Sequence, residues 1–258
     1  KWNKIKSEKK INFSASKIKY ESALDFPDVS SGEKRVNSVI RDAISDALEA
    51  GALFIGEDII TKWDSDSNAY GGAFGVSLGL SEKFPNVIGT SISEAGLVGL
   101  AAGYALASKK LSIAEIMFAD FSTLIVDQLH NGVDKYLKMF GANLSIPLVV
   151  RLPYGMGRGY GPTHSQAPFE IFSGLTEIIN ISYTPFLNYK SLLKKAQENG
   201  VSVIINEPKV YYGDLLGDWF CLIEVGDLKP IKGRLATSFI YKTSKIPAIK
   251  IISHGSAV

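Results

Sequence analysis

The sequence has 258 residues and a mass of 28.0 kDa, and 46% of its residues are hydrophobic, which is enough for one large domain or two modest ones. Charged residues make up 21% and the formal net charge is +2, so wholesale disorder is excluded and general nucleic-acid binding is disfavoured. The single cysteine, Cys221, excludes a disulfide framework within this chain and a cysteine-based zinc site. No apolar run reaches the ~20 residues that a membrane span requires.

Residues 1–32 are rich in lysine and have no steady apolar period, which predicts a solvated linker or arm. From residue 33 onward, helical and strand patterns alternate, and residues 33–210 are assigned to one domain. Helices are predicted at 33–50, around 76–84, at 95–107, 122–140 and 189–198. Strands are predicted at 53–56, 87–89, 112–118, 147–152, 177–182 and 201–206.

The predicted strands are continuous apolar runs rather than alternating ones. Strands of this kind between helices indicate a doubly wound α/β fold, in which helices cover both faces of a mainly parallel sheet. The helix at 95–107 is apolar nearly all round, which predicts deep burial. Residues 211–248 are interpreted as a connecting segment, and residues 249–258 as the start of a further, C-terminal domain.

Glu94 is the only charged residue between Lys83 and Lys109, and it begins the apolar helix after the second predicted strand. Ligands of open α/β sheets bind at the carboxyl ends of the strands, where this glutamate is expected to lie. A poorly hydrated carboxyl group can hold a proton near neutral pH, which suits acid–base chemistry. The alternative is that Ser93 and Glu94 only cap the helix.

The loop after the predicted strand at 147–152 contains four glycines, at 155, 157, 159 and 161, and then His164. It lacks the Gly-Lys-Ser/Thr of a P-loop and does not lead directly from a strand into a helix, so it is a weak phosphate motif. His164 is a titratable group on the ligand side of the sheet, and a purely structural histidine is the alternative. Met117 and Phe121 flank the end of another strand, where they serve either core packing or an apolar wall for a flat ring.

Several short strings occur together in one order: Phe-Ile-Gly-Glu-Asp (54–58), Gly-Gly-Ala-Phe (71–74), Ile-Ser-Glu (92–94), Glu-Ile-Met-Phe-Ala-Asp-Phe (115–121), Asp127-Gln128 with Asn131, Arg-x-Pro-x-Gly (151–155), His-Ser-Gln (164–166) and Glu-Pro-Lys (207–209). As a set they resemble the beta subunit of the thiamine-diphosphate-dependent 2-oxo acid dehydrogenases, over about residues 34–210. The resemblance covers most of the pyrimidine-binding domain of that family. Ser91 stands where the family usually has proline, which removes rigidity from the turn but no reacting group.

The resemblance implies a role for each candidate residue. Glu94 matches the glutamate that hydrogen-bonds the aminopyrimidine of thiamine diphosphate and favours its imino tautomer. Phe121 matches the aromatic residue that packs on the pyrimidine, and Met117 and Ile92 match residues that line the same pocket. His164 matches a histidine at the mouth of the active site, associated with the acyl intermediate and its transfer to lipoamide.

The resemblance also implies partners. An alpha-type subunit or fused alpha-type domain holds the diphosphate and Mg²⁺ through a Gly-Asp-Gly motif, and neither Gly213-Asp214 nor Gly217-Asp218 is followed by the required glycine. A lipoyl-bearing acyltransferase receives the acyl group, and beta-type domains associate with one another. Some relatives hold K⁺ near the turn at Lys109 and Lys110 through backbone carbonyls, which leave no side-chain pattern. The implied compartment is the cytoplasm, or the mitochondrial matrix in a eukaryote.

The predicted activity is decarboxylation of a 2-oxo acid, pyruvate or a branched-chain acid, by a beta-type half that is inactive alone. We further hypothesise that the sequence is the central portion of a fused alpha–beta chain. Alternatives within the superfamily are an acetoin dehydrogenase and a transketolase-like enzyme. Alternatives from other classes are a non-catalytic assembly partner and a nucleotide-binding protein that uses the glycine loop.

Overall fold

The computed structural model describes residues 32–61, 71–140, 144–220, 227–231 and 238–242. Six strands form one sheet in the order β2-β1-β3-β4-β6-β5, and every pair of neighbours in it is parallel. The strands are β1 (Leu53–Glu57), β2 (Val87–Thr90), β3 (Ser112–Glu115), β4 (Leu148–Tyr154), β5 (Ile178–Ser182) and β6 (Ser202–Pro208). The prediction of a mainly parallel α/β sheet is therefore confirmed.

Helices cover both faces of this sheet. The described α-helices are α1 (Val36–Glu49), α2 (Leu80–Lys83), α3 (Glu94–Ser108), α4 (Tyr136–Phe140), α5 (Tyr189–Asn199) and α6 (Leu216–Phe220). One hydrophobic cluster joins α1 and α5 to the sheet, and a second joins α3 and the helical residues 128–135 to it. Side chains from the strands alternate between the two clusters, for example Phe54 in the first and Ile55 in the second, which explains why the strands are apolar throughout.

Two helices differ from their sequence predictions. The predicted helix at 122–140 is helical throughout, but it begins as a 3₁₀ segment (Ala119–Ile125), passes through a π segment (Gln128–Lys135) and ends as α4. Helix α3 is not buried on all sides as predicted: Leu100 is 55% exposed, and Gly99 and Gly103 lie on the same exposed side. The prediction of burial was wrong for this side of α3, because an apolar sequence alone does not show which side of a helix packs against the rest of the chain.

The segment after β6 contributes to the core, since Tyr211, Tyr212 and Leu216 belong to the cluster that contains α1. The backbone N–H of Val36 donates to the carbonyl of Asp214 at 3.0 Å, which fixes this segment against the start of α1. Two further strands, β7 (Asp227–Ile231) and β8 (Ser238–Lys242), pair as an antiparallel hairpin. The domain limits of the sequence analysis stay predictions, and the predicted arm up to residue 31, Cys221 and residues 249–258 lie outside the described residues. Among the helices that are described, none has the length and hydropathy to cross a membrane.

Candidate functional site

The carboxyl ends of β1 and β2 place a buried glutamate beside the entrance to α3. Glu57 ends β1 and is paired in register with Thr90, which ends β2. Oε1 of Glu57 accepts a hydrogen bond of 2.9 Å from the backbone N–H of Ser93, the residue before α3. The end of β1 is thereby tied directly to the start of α3.

Glu94 is the first residue of α3 and is only 7% exposed. Throughout the described ranges, no side chain or backbone group hydrogen-bonds its carboxylate, and Ser93 makes no side-chain cap. A capping role for the Ser93 side chain, the alternative considered from the sequence, is therefore not what the structure shows. The carboxyl group of Glu94 has no protein partner among the described residues and lies at the N-terminus of a helix, so it is available to bind a ligand group.

Glu57 is a member of this site that sequence reasoning did not assign. Burial raises the pKa of its carboxyl group and the hydrogen bond from Ser93 lowers it, while repulsion by the nearby charges of Glu94 and Asp58 raises it further. Glu57 therefore holds a proton more readily than an isolated glutamate does. The available signal was a glutamate placed immediately after an apolar strand.

The three predicted apolar residues of the site differ in their surroundings. Ile92, in the turn before α3, is 85% exposed. Met117 and Phe121 follow β3, and both are half-buried against the cluster that contains α1. The ring centroid of Phe121 lies 5.4 Å from that of His164 at 86°, an edge-to-face contact that brings two of the predicted residues together. In the described part of the chain, no hydrogen bond or ring contact joins Glu94 to either of these rings.

His164 ends a short 3₁₀ turn (Pro162–His164) after the glycine-rich loop, whose four glycines all have positive φ angles. Its Nδ1 lies 2.8 Å from the hydroxyl of Thr163, and its ring stands edge-to-face on Phe118 at 4.6 Å. The Nζ of Lys209 donates to the backbone carbonyl of His164. From the sequence, Lys209 was noted only as part of the Glu-Pro-Lys string. Nothing in that string indicates that the lysine contacts a backbone carbonyl 45 residues earlier in the chain.

A buried ion cluster supports the strand ends beneath this site. The Arg151 guanidinium binds Glu207 through two hydrogen bonds of 2.9 and 2.7 Å and also donates to Glu115, and all three residues are at most 4% exposed. The hydroxyls of Tyr189 and Tyr212 donate to Glu207 at 2.7 and 2.6 Å. Burial raises the pKa of Glu115; Arg151 lowers it, and Glu207 raises it. The cluster joins β3, β4 and β6, so it fixes the strands that lead into Met117, the glycine loop and Lys209.

Among the side chains that are described, no group of three or more His, Cys, Asp or Glu residues could hold a metal ion. The glycine-rich loop leads from β4 into a 3₁₀ turn rather than an α-helix, so it does not have the geometry of a P-loop. These features define the class of the molecule: an α/β domain with acidic and aromatic residues at the carboxyl edge of its sheet.

The chain belongs to the transketolase pyrimidine-binding-domain family, whose model matches residues 38–213. It is 34% identical over 197 residues to the acetoin:2,6-dichlorophenolindophenol oxidoreductase beta subunit of Bacillus subtilis (strain 168), covering 70% of this chain and 57% of that protein. It is 30% identical over 177 residues to the pyruvate dehydrogenase E1 component beta subunit of Chaetosphaeridium globosum, covering 67% and 52% of the two chains.

A third relative is the 2-oxoisovalerate dehydrogenase beta subunit of Pseudomonas aeruginosa, which is 30% identical over 158 residues, covering 60% of this chain and 45% of that one. The similarity to 2-oxo acid dehydrogenase beta subunits that was predicted from the motifs is thereby confirmed. The chain spans about half the length of the curated relatives it matches.

Proposed function

We propose that this chain is the beta-type half of a 2-oxo acid dehydrogenase that decarboxylates pyruvate or a branched-chain 2-oxo acid with thiamine diphosphate. The observation that carries the proposal is Glu94, a buried carboxyl group at the N-terminus of α3 with no hydrogen-bond partner in the described ranges. The family to which the chain belongs supports the same proposal.

The residues at the edge of the sheet fit an aminopyrimidine ring. The carboxyl group of Glu94 can hydrogen-bond a ring nitrogen, which gives this buried group the partner it lacks. Ile92, with 85% of its surface exposed, and the half-buried Met117 and Phe121 offer apolar surface to a flat ring. Thiamine diphosphate, when bound, supplies the nucleophilic carbon and the electron sink that decarboxylation requires.

In this proposal the chain contributes proton handling at one end of the cofactor. The carboxyl group of Glu94 is proposed to hydrogen-bond the ring nitrogen. Glu57 supplies a second, poorly hydrated carboxyl group close to Glu94, so that an acidic side chain lies next to Glu94. His164, edge-on to Phe121 and at the end of the glycine loop, is proposed to act on the acyl group during its transfer to lipoamide.

The other half of the site is proposed to come from an alpha-type subunit or fused domain, which holds the diphosphate and Mg²⁺. Carbon dioxide is released, the acyl group is proposed to pass to a lipoyl-bearing acyltransferase, and beta-type domains are proposed to associate with one another. The proposed compartment is the cytoplasm, or the mitochondrial matrix in a eukaryote. Acetoin is the second candidate substrate, because the acetoin-oxidising relative is 34% identical over 197 residues.

The experiment that tests the proposal uses the full-length protein together with its alpha-type partner, thiamine diphosphate and Mg²⁺. Pyruvate, 3-methyl-2-oxobutanoate and acetoin are each offered with 2,6-dichlorophenolindophenol as electron acceptor. We expect dye reduction with at least one 2-oxo acid and none without the cofactor. Reduction with acetoin alone selects the second candidate.

The rival functions have separate outcomes. A stable complex that binds the cofactor but reduces no dye with any of the substrates indicates a non-catalytic assembly partner. Calorimetry that shows tight binding of ATP or NAD in place of thiamine diphosphate supports a nucleotide-binding protein.

A further inference from the structure

Lys209 is a buried lysine whose ammonium group points at the loop that carries His164. It follows β6 directly, in a short 3₁₀ turn (Lys209–Tyr211), and its side chain is fully buried. Its Nζ donates a hydrogen bond to the backbone carbonyl of His164, and no described carboxylate forms an ion pair with it. Burying an ammonium group that hydrogen-bonds a backbone carbonyl and pairs with no described carboxylate costs free energy, so other contacts must stabilise it.

Three aromatic rings surround this ammonium. The Nζ of Lys209 lies 4.7 Å from the ring centroid of Phe118, 5.7 Å from that of Tyr160 and 5.8 Å from that of Phe74. The rings contact one another, with centroids 5.3 Å apart for Phe118 and Tyr160 and 5.5 Å apart for Phe74 and Phe118. We call these three rings the aromatic cage. Their negative faces partly replace the water that the buried cation has lost.

Burial nevertheless disfavours the charged form of Lys209. Loss of hydration lowers the pKa of Lys209; Asp120 raises it, and Arg158 lowers it. The hydrogen bond to His164, the aromatic cage and the attraction of Asp120 therefore stabilise the ammonium group.

A second anchor holds the same stretch of the loop. Oδ1 of Asp120 accepts hydrogen bonds of 3.1 Å from the backbone N–H groups of both Ser165 and Gln166. Lys209 therefore holds the carbonyl of His164 while Asp120 holds the next two amides. The ring of Phe118 contacts both the ammonium of Lys209 and the imidazole of His164, which connects the two anchors to the side chain itself.

Such anchors are needed because of the sequence that precedes them. The glycines at 155, 157, 159 and 161 all have positive φ angles, and glycine loses more conformational freedom on ordering than any other residue. Without fixed points at its end, a loop of this composition would not hold the imidazole of His164 at one distance from Phe121. Placement of a reacting group to within about 0.5 Å requires supporting contacts of this kind.

We propose that Lys209, supported by Asp120, is a positioning residue for His164 in the acyl-transfer step. This inference rests on the proposed function, since the reaction of His164 is part of it. The proposal predicts that replacement of Lys209 changes the rate of acyl transfer only when His164 is present.

The test uses Lys209→Met in the full-length protein assembled with its alpha-type partner and cofactor. Methionine keeps the length and packs against aromatic rings, but it cannot donate to the carbonyl. Two rates are measured: decarboxylation with the artificial acceptor, and acylation of an isolated lipoyl domain. We expect acylation to fall by about tenfold or more, and decarboxylation by no more than about threefold, because misplaced general acid–base groups cost factors of this order.

The double variant His164→Ala/Lys209→Met separates a positioning role from a structural one. If Lys209 acts through His164, the double variant acylates the lipoyl domain at about the same rate as His164→Ala alone. A further loss as large as the one Lys209→Met causes in the wild-type background overturns the proposal, and so does an equal loss in both reactions. Lys194→Met, at a side chain that is 71% exposed, is the matched control.

Hydrogen exchange of the amides of Ser165 and Gln166 gives an independent readout that does not depend on activity. We expect faster exchange in Lys209→Met, and unchanged exchange counts against the anchor. If Lys209→Met does not fold, Asp120→Ala and Asp120→Asn replace it: alanine removes the acceptor, and asparagine retains one. Should the wild-type complex decarboxylate no 2-oxo acid, the proposed function fails while the exchange data still decide the anchor.

Discussion

The backbone N–H of Ser93 donates to Oε1 of Glu57 at 2.9 Å, so the last residue of β1 holds the entrance of the helix that begins with Glu94. The carboxylate of Glu57 therefore has two effects. It accepts a hydrogen bond from a backbone N–H at the start of α3, and it lies near the carboxylate of Glu94, so the two charges repel each other. Protonation of Glu57 changes these two effects differently. The neutral carboxyl group still accepts the hydrogen bond through its carbonyl oxygen, but it no longer repels Glu94.

Glu57→Gln tests this relationship through pH. Burial raises the folded-state pKa of Glu57 above 4.5, and repulsion by Glu94 acts in the same direction. The folded state therefore binds this proton more tightly than the unfolded state, so the contribution of Glu57 is fully present below about pH 4.5 and is lost as the pH rises through the folded pKa. Glutamine keeps an acceptor for Ser93 and cannot ionise.

We expect the stability of Glu57→Gln relative to wild type to increase between pH 4.5 and pH 7.5, because only the wild-type residue ionises in this range. Urea unfolding of the full-length protein at several pH values measures this difference. Glu82→Gln, at an exposed position of α2, is the matched control. A stability difference for Glu57→Gln that is the same at every pH would contradict the expectation.

Glu94→Gln is expected to reduce turnover of the assembled enzyme by at least about 100-fold, which is the lower end of what a positioned proton donor contributes. The amide preserves the size of the side chain, so cofactor binding should weaken far less than turnover. Steady-state rates and the cofactor concentration for half-saturation measure the two effects. Glu49→Gln, in an exposed ion pair with Lys83, is the control. Unchanged turnover in Glu94→Gln rules out proton transfer by this residue.

Met117→Ala is expected to weaken cofactor binding while leaving the maximal rate close to that of the wild type. Loss of apolar contact from a half-buried methionine corresponds to about 1–2 kcal/mol, or about five- to thirtyfold in the half-saturating concentration of thiamine diphosphate. The matched control is Met139→Ala, because Met139 is 74% exposed on α4. A lower maximal rate at unchanged half-saturation would show that Met117 does not line the cofactor pocket.

Some of this architecture could be predicted from sequence because it is local. Continuous apolar strands indicated the parallel sheet, and Glu94 was conspicuous as the only charge between Lys83 and Lys109. The roles of Lys209 and Asp120 could not be predicted, since each acts on backbone groups of residues 164–166, about 45 positions distant in sequence. Side-chain-to-backbone contacts of this kind place almost no restriction on the identity of the residue they hold.

The buried cluster around Arg151 could not be predicted from the sequence either. Its three charged members lie on different strands, β3, β4 and β6, and only the fold brings them together. Arg151→Met leaves Glu115 and Glu207 buried without their cation, which is expected to cost about 3–5 kcal/mol of unfolding free energy at pH 7. The deficit should shrink at lower pH, because the orphaned carboxyl groups then bind protons.

Replacement of the whole cluster distinguishes charge from packing. In Arg151→Met/Glu115→Gln/Glu207→Gln no charge remains within this cluster, and the amide introduced at position 207 still offers an acceptor to the hydroxyls of Tyr189 and Tyr212, which bond to Glu207 in the wild type. We expect this triple variant to recover most of the stability that Arg151→Met loses, as measured by urea unfolding at pH 7. A triple variant no more stable than Arg151→Met would mean that the guanidinium acts by filling space between the strands and not by neutralising the two carboxylates.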